Sequence, residues 1–209
     1  MLRLIYIMDP QCMWCYAFGK NILKLYEHYK DQLDFDVLSG GLNIHPDIPE
    51  AGLQLEQEKR PLAARIAKVT NVQFSYAFMK NVIGKTGSNL DSEPPSRALQ
   101  AVKQMKRELI LPFMEELLEI QYQGGKNLNE IENCYPLLDR FEIGKEVFLQ
   151  LWDSEDIKRK TQEEFEYARK LSTNFPALFA INGDSIEKIA GGYASLEKMI
   201  AKIDETNAT

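Results

Sequence analysis

Two of the three cysteines in this 209-residue sequence stand with two residues between them, Cys12 and Cys15 in the stretch DPQCMWCYAFG. A pair at this spacing has three chemistries open to it: a dithiol that cycles with a disulfide, half of a zinc site, or two packed thiols with no joint role. A thiol becomes a strong nucleophile when ionised, and the unsatisfied N–H groups of a helix start stabilise a thiolate. Residues three apart share a helical face at about 5–6 Å, within the Cα separation that a disulfide accepts. A pair in the first turn of a helix can therefore close and reopen with little movement. Zinc needs four ligands, and beyond the pair the chain offers Cys134, His28, His45 and carboxylates without a second paired motif. The redox reading is favoured, with zinc and simple packing as minor alternatives.

The surrounding elements put the pair in that place. Leu2 to Met8 is an apolar run stopped by Asp9-Pro10, which predicts a buried strand and a turn. Phe18, Ile22, Leu25, Tyr26 and Tyr29 then recur at spacings of three and four, predicting an amphipathic helix over 13–29 with both cysteines in its first turn. Residues 33–41 alternate Leu33, Phe35 and Val37 with acidic residues before Gly40-Gly41, as a half-buried strand would. From 47 to 171 the periodicity is helical, punctuated at Pro61, Gly84 to Gly87, Pro94-Pro95, Gly124-Gly125 and Gly144. Asp153 or Ser154 should cap a last helix of this stretch. A strand from Pro176, a turn at Asn182-Gly183 and a second strand to about Ala190 form a hairpin, and a helix follows from Ser195.

The chain is 44% hydrophobic and long enough to bury a full core. A net charge of −6, with the basic residues interspersed among acidic ones, argues against a nucleic-acid or anionic-membrane partner. The opening MLRLIYIMDP is too short an apolar run for a secretory signal, and no later stretch could span a bilayer. The expectation is a soluble cytoplasmic protein, where a cysteine pair is more often catalytic or metal-binding than structural.

Three stretches carry a family resemblance: DPQCMWCYAFG, the middle run PPSRALQAVKQM…LLEIQYQGGKNLNE, and NFPALFAINGD near the end. Through them the chain resembles the DsbA-like branch of the thioredoxin superfamily, most closely the cytoplasmic FrnE-like group of thiol-disulfide oxidoreductases and dithiol isomerases. The resemblance implies an α/β thioredoxin-like fold, residues 1–46 and 172–209, with an inserted all-helical domain at 47–171. It further implies a nucleophile at Cys12, a resolving thiol at Cys15 and a cis proline at Pro176, with no metal and no organic cofactor. Where the DsbA proteins carry a His between the cysteines this chain has Met13-Trp14, which implies a milder oxidant. Phe175 stands where relatives often have Val or Thr.

Trp14, Phe175 and Pro176 are accordingly the candidate substrate contacts, and the candidate partners are protein or small-molecule disulfides, with glutathione or a thioredoxin-type reductant. A glutathione-dependent transferase or isomerase and a non-catalytic client-binding adaptor are the rival functions, since fold does not fix function. Cys134 reads as an ordinary packed thiol, His28 as a surface residue, His45 as a loop residue, and Phe74, Tyr76, Phe78 and Met79 as helical core. Trp14 lies between the cysteines, whereas Trp152 falls in the helical middle. Reduction is therefore expected to change the tryptophan fluorescence, and Trp14→Phe to abolish that change. Constant emission across full reduction, with thiols counted, would reject the placement of Trp14 beside the disulfide.

Overall fold

The computed structural model describes residues 2–44, 48 and 50–207; His45 lies outside them. Four strands form one sheet in the order β2-β1-β3-β4: β1 is Arg3–Met8, β2 Asp34–Ser39, β3 Ala177–Asn182 and β4 Ser185–Gly191. β1 and β2 are parallel, joined by helix α1, Met13–Tyr29, while β3 is antiparallel to both β1 and β4. This is the mixed α/β fold expected.

The sheet is covered on both faces, which explains why β1 is apolar without alternation. Leu4, Tyr6 and Met8 face the main apolar cluster with α1, whereas Ile5 and Ile7 face a second cluster containing Leu38, Ala168, Ala177 and Phe179. The same two-sided covering corrects the expectation of a half-buried β2. Five of its six residues are buried, Asp36 among them. What sequence periodicity reads as a solvent face is closed by α4, Glu93–Met105, and α8, Glu155–Leu171. Lys103 of α4 donates to Val37 O at 2.5 Å and pairs with Glu164 of α8 at 2.6 Å and Asp36 at 3.3 Å. Glu164 in turn accepts the Ser39 N–H at 2.8 Å. A buried ion pair of this kind is costly to break from one side, about 3–5 kcal/mol, so it fixes both helices against the sheet.

Between β2 and β3 run helices α2 (Leu53–Thr70), α3 (Tyr76–Phe78, continued by a π-helical turn Met79–Ile83), α4, α5 (Ile110–Tyr122), α6 (Tyr135–Arg140), α7 (Lys145–Trp152) and α8. Pro61 lies inside α2 instead of ending it, and Pro94-Pro95 occupy the first turn of α4, where a missing N–H leaves no bond unmade. Ser154 caps α8 by accepting the Ile157 N–H. Phe78 and Met79 are core and Phe74 packs beside it, but Tyr76, expected there too, is 68% exposed. One apolar cluster runs through the sheet, α1 and the helical middle. The expected 46/47 boundary lies outside the described residues; we propose that 171/172 divides the chain in order and not in packing. The hairpin turn is Gly183-Asp184, one residue later than expected, because Asn182 pairs with Ser185. Of these two turn residues Gly183 has positive φ, at 56°, and Asp184 does not, the pattern of a turn with glycine first. Helix α9, Leu196–Asn207, closes the fold with Met199 and Ile203 buried.

Gly40, directly after β2, is where the fold leaves room for Phe175, a candidate substrate contact. A Cβ there would overlap the Phe175 ring. Gly40→Ala is expected to destabilise by about 1–3 kcal/mol, with most of the loss beyond that of Phe175→Ala alone recovered in the double variant. Urea unfolding of the four proteins measures this; strictly additive losses would contradict the contact.

Candidate active site

The turn Asp9–Cys12 connects β1 to α1, and the Cys12 N–H closes it on Asp9 O at 3.0 Å. Cys12 is the N-cap of α1, one position ahead of the first turn in which it was expected, and its Sγ accepts the Cys15 N–H at 3.2 Å. A cap normally supplies an oxygen to that N–H; here a sulfur does so, and a thiolate would accept the same bond more strongly. Both thiols are free, with Cys12 8% exposed and Cys15 fully buried. Burial, then the adjoining Cys12 sulfur, pushes the Cys15 thiol well above the usual range. The pair is thus unequal: Cys12, 8% exposed, has a donor on its sulfur, while Cys15 is wholly enclosed and held protonated. Tyr6 of β1 fixes the helix beneath them, its hydroxyl donating to Cys15 O at 2.9 Å.

Asp9, wholly buried, organises the loops around this turn. Its Oδ1 accepts the Gln11 N–H at 2.9 Å and the Ser92 hydroxyl at 2.7 Å, and its Oδ2 the Leu42 N–H at 2.7 Å. Burial outweighs those bonds and raises its pKa from 3.8 to about 6. The segment Gly40–Leu42 is also held by Arg169, which donates to Gly40 O at 2.9 Å and to Gly41 O. Phe175 packs on Gly40 and Phe165 on Gly41, whose φ of +65° is accessible to glycine at little cost. Through this segment the dithiol turn and the Phe175-Pro176 corner are tied to one support. The Phe175-Pro176 bond is cis, Pro176 is buried and Phe175 half-buried.

Trp14 is half-buried and packs against the main core. Trp152 lies elsewhere, with Arg97 stacked 3.9 Å from its ring and its indole N–H on Pro94 O. Cys134 is buried apart from the pair, and burial pushes its thiol up to about 12. His28 is exposed, edge-on to Tyr29. Sequence reasoning missed Asp9, read only as a strand stop, although a carboxylate three residues before a candidate thiolate was visible. Gln121 and Tyr122, which reach Pro10 and Gln11 from the end of α5, gave no local signal.

Because the folded pKa of Asp9 exceeds its unfolded value, the folded state binds the extra proton between about pH 4 and 6, and stability attributable to Asp9 falls as pH rises through that window. The difference between 3.8 and about 6 corresponds to about 3 kcal/mol. The stability of the wild type minus that of Asp9→Asn should therefore decline by roughly this amount from pH 4 to 7 in denaturant titrations. A difference independent of pH would contradict the burial of a titrating carboxyl.

No family model and no curated protein sequence matches the chain. Solved structures do. A proposed protein disulfide isomerase from Nitrosomonas europaea is similar over 99% of this chain and 98% of its own, with 22% identity and a TM-score of 0.87. The cytosolic disulfide reductase DsbM from Pseudomonas aeruginosa is similar over 99% and 98%, at 20% identity and 0.82, and its structure with GSH over 99% and 100%, at 19% and 0.81. The oxidoreductase DsbA from Xylella fastidiosa is similar over 100% of this chain and 87% of its own, at 10% identity and 0.58. Likeness at such identities concerns the fold, and the fold of this chain is the DsbA-like thioredoxin fold, with a CxxC pair at the head of its first helix.

Proposed function

We propose that the protein is a thiol-disulfide oxidoreductase, working as a reductase or isomerase in the cytoplasm, with Cys12 as nucleophile and Cys15 as resolving thiol. The observation that carries this reading is the Cys15 N–H directed at Cys12 Sγ at the start of α1. Cys12 thiolate attacks one sulfur of a substrate disulfide, forming a mixed disulfide and releasing the other sulfur as a thiolate that takes a proton. Cys15 then loses its proton and attacks Cys12 Sγ. The second substrate thiol leaves, and two electrons have passed from the dithiol to the substrate. The deep burial of Cys15 supports its role as the second, intramolecular thiol, since only a neighbouring sulfur reaches it.

Trp14, Phe175 and Pro176 form the substrate contacts in this reading, with the backbone at Phe175 pairing with an extended substrate. Reduction of the Cys12–Cys15 disulfide falls to glutathione or a thioredoxin-type protein; the relative solved with GSH supports the former. The absence of His between the cysteines favours reduction or isomerisation over net oxidation. The cytoplasmic assignment draws support from the cytosolic relative DsbM, and no helix among the described residues is long and apolar enough to cross a membrane.

Cys15→Ser should accumulate covalent, reductant-sensitive adducts, because nothing resolves the mixed disulfide. Cys12→Ser should form few adducts and show no turnover, while Cys134→Ser keeps wild-type turnover. Non-reducing gels and a model-disulfide assay read these outcomes. Equal trapping by the Cys12 and Cys15 variants would overturn the assignment of roles, and activity surviving the loss of both would overturn the chemistry.

A further inference from the structure

The turn that carries Cys12 is held from the helical middle of the chain, by two residues at the end of α5. The carbonyl of Pro10, two residues before Cys12, accepts the Tyr122 hydroxyl at 2.9 Å and has Gln121 Nε2 at 3.5 Å. The same Gln121 amide donates to Gln11 Oε1 at 3.0 Å, while its own Oε1 takes the Leu128 N–H at 3.3 Å. On the other side of the pair, the Tyr122 ring stacks at 4.6 Å on Tyr16, the residue after Cys15. One wholly buried side chain thus touches the chain both before and after the two cysteines. Burial foremost, then the charges of Cys12 and Cys15, push the Tyr122 phenol well above its usual range, so it keeps its proton and serves as a donor.

We propose that Tyr122, assisted by Gln121, is a positioning residue for the dithiol, holding the Asp9–Cys12 turn so that the Cys15 N–H stays directed at Cys12 Sγ and thereby favouring the reduced form. The proposal rests on the redox reading above. Its physical basis is a difference between the two oxidation states. A thiolate gains a charge-assisted hydrogen bond from the Cys15 N–H, and a disulfide sulfur gains far less. Whatever orients that donor therefore stabilises the dithiol over the disulfide and makes the couple more oxidising. Removing the Tyr122 hydroxyl leaves the buried Pro10 carbonyl with the 3.5 Å contact alone, so the turn, still closed by the Cys12 N–H on Asp9 O, is held less firmly at Pro10.

Tyr122→Phe keeps the ring stack and deletes only the donor. Gln121→Met deletes the second donor, and with it the acceptor of the Leu128 N–H, at nearly constant shape. Tyr26→Phe is the control, because that hydroxyl donates to Glu108 O, away from the dithiol turn. Each full-length protein is equilibrated in buffers of reduced and oxidised glutathione, and the Cys12 and Cys15 thiols are counted by alkylation and mass; alkylation rates are then followed from pH 5 to 9. Tyr122→Phe is expected to shift the equilibrium about 3–10-fold toward the disulfide, the effect of losing one hydrogen bond. It should also move the alkylation profile of Cys12 to higher pH. Gln121→Met should move both readouts the same way by a smaller factor, and Tyr26→Phe should leave them within about twofold, as expected of a distant site. Tyr122→Phe and Gln121→Met both equal to a wild type that does form the disulfide would overturn the positioning role alone. A wild type that forms no Cys12–Cys15 disulfide in any buffer would overturn the redox reading and this proposal with it.

Discussion

The Asp9 carboxylate is the interaction on which the site's architecture depends. It gathers the N–H of Gln11, the N–H of Leu42 and the hydroxyl of Ser92, drawn from the dithiol turn, the segment after β2 and the residue before α4. Two of these pieces lie far along the chain from Asp9, and without this acceptor the buried Ser92 hydroxyl would lose its partner, at about 1–3 kcal/mol, and the part-buried N–H groups of Gln11 and Leu42 would lose theirs. Keeping a charge there is itself unfavourable, which is why the carboxyl titrates near pH 6. The fold accepts that cost because one acceptor settles three loops at once. The positions of Cys12 and of the Phe175 corner follow from it.

A graded environment for the two sulfurs grows out of the same arrangement. Cys12 stands at the helix cap with a donor and a small opening to solvent; Cys15, one turn deeper, is wholly buried with no cation among its electrostatic neighbours. Sequential chemistry needs this inequality, since a first nucleophile must be ionised and reachable while the second must wait. The helical middle of the chain takes part in this arrangement: its α4 start meets Asp9 and its α5 end meets Pro10, so it bears directly on the turn that carries Cys12.

Much of this was legible in the sequence. The apolar run before Asp9, the stripe over 13–29 and the cysteine spacing together placed a thiol pair at a helix start, one residue from its observed position at the cap. Helical periodicity carried the middle of the chain equally well. What was not legible is long-range pairing. Asp36 looked solvent-facing because periodicity cannot know that Lys103 and Glu164 arrive from distant helices. Tyr122 looked like any helical aromatic, since its partner Pro10 lies 112 positions away. Gly40 read as a strand end, while its missing Cβ makes space for Phe175.

The central claim is that Cys12 and Cys15 exchange electrons with a disulfide. It is tested most directly by mixing fully reduced protein with one equivalent of a peptide disulfide and following both partners by mass spectrometry. The account predicts that the segment containing Cys12 and Cys15 loses two hydrogens while the peptide is released as a dithiol, with Cys134 remaining a free thiol. A protein that stays fully reduced, or whose oxidation leaves Cys12 and Cys15 unlinked, would contradict it.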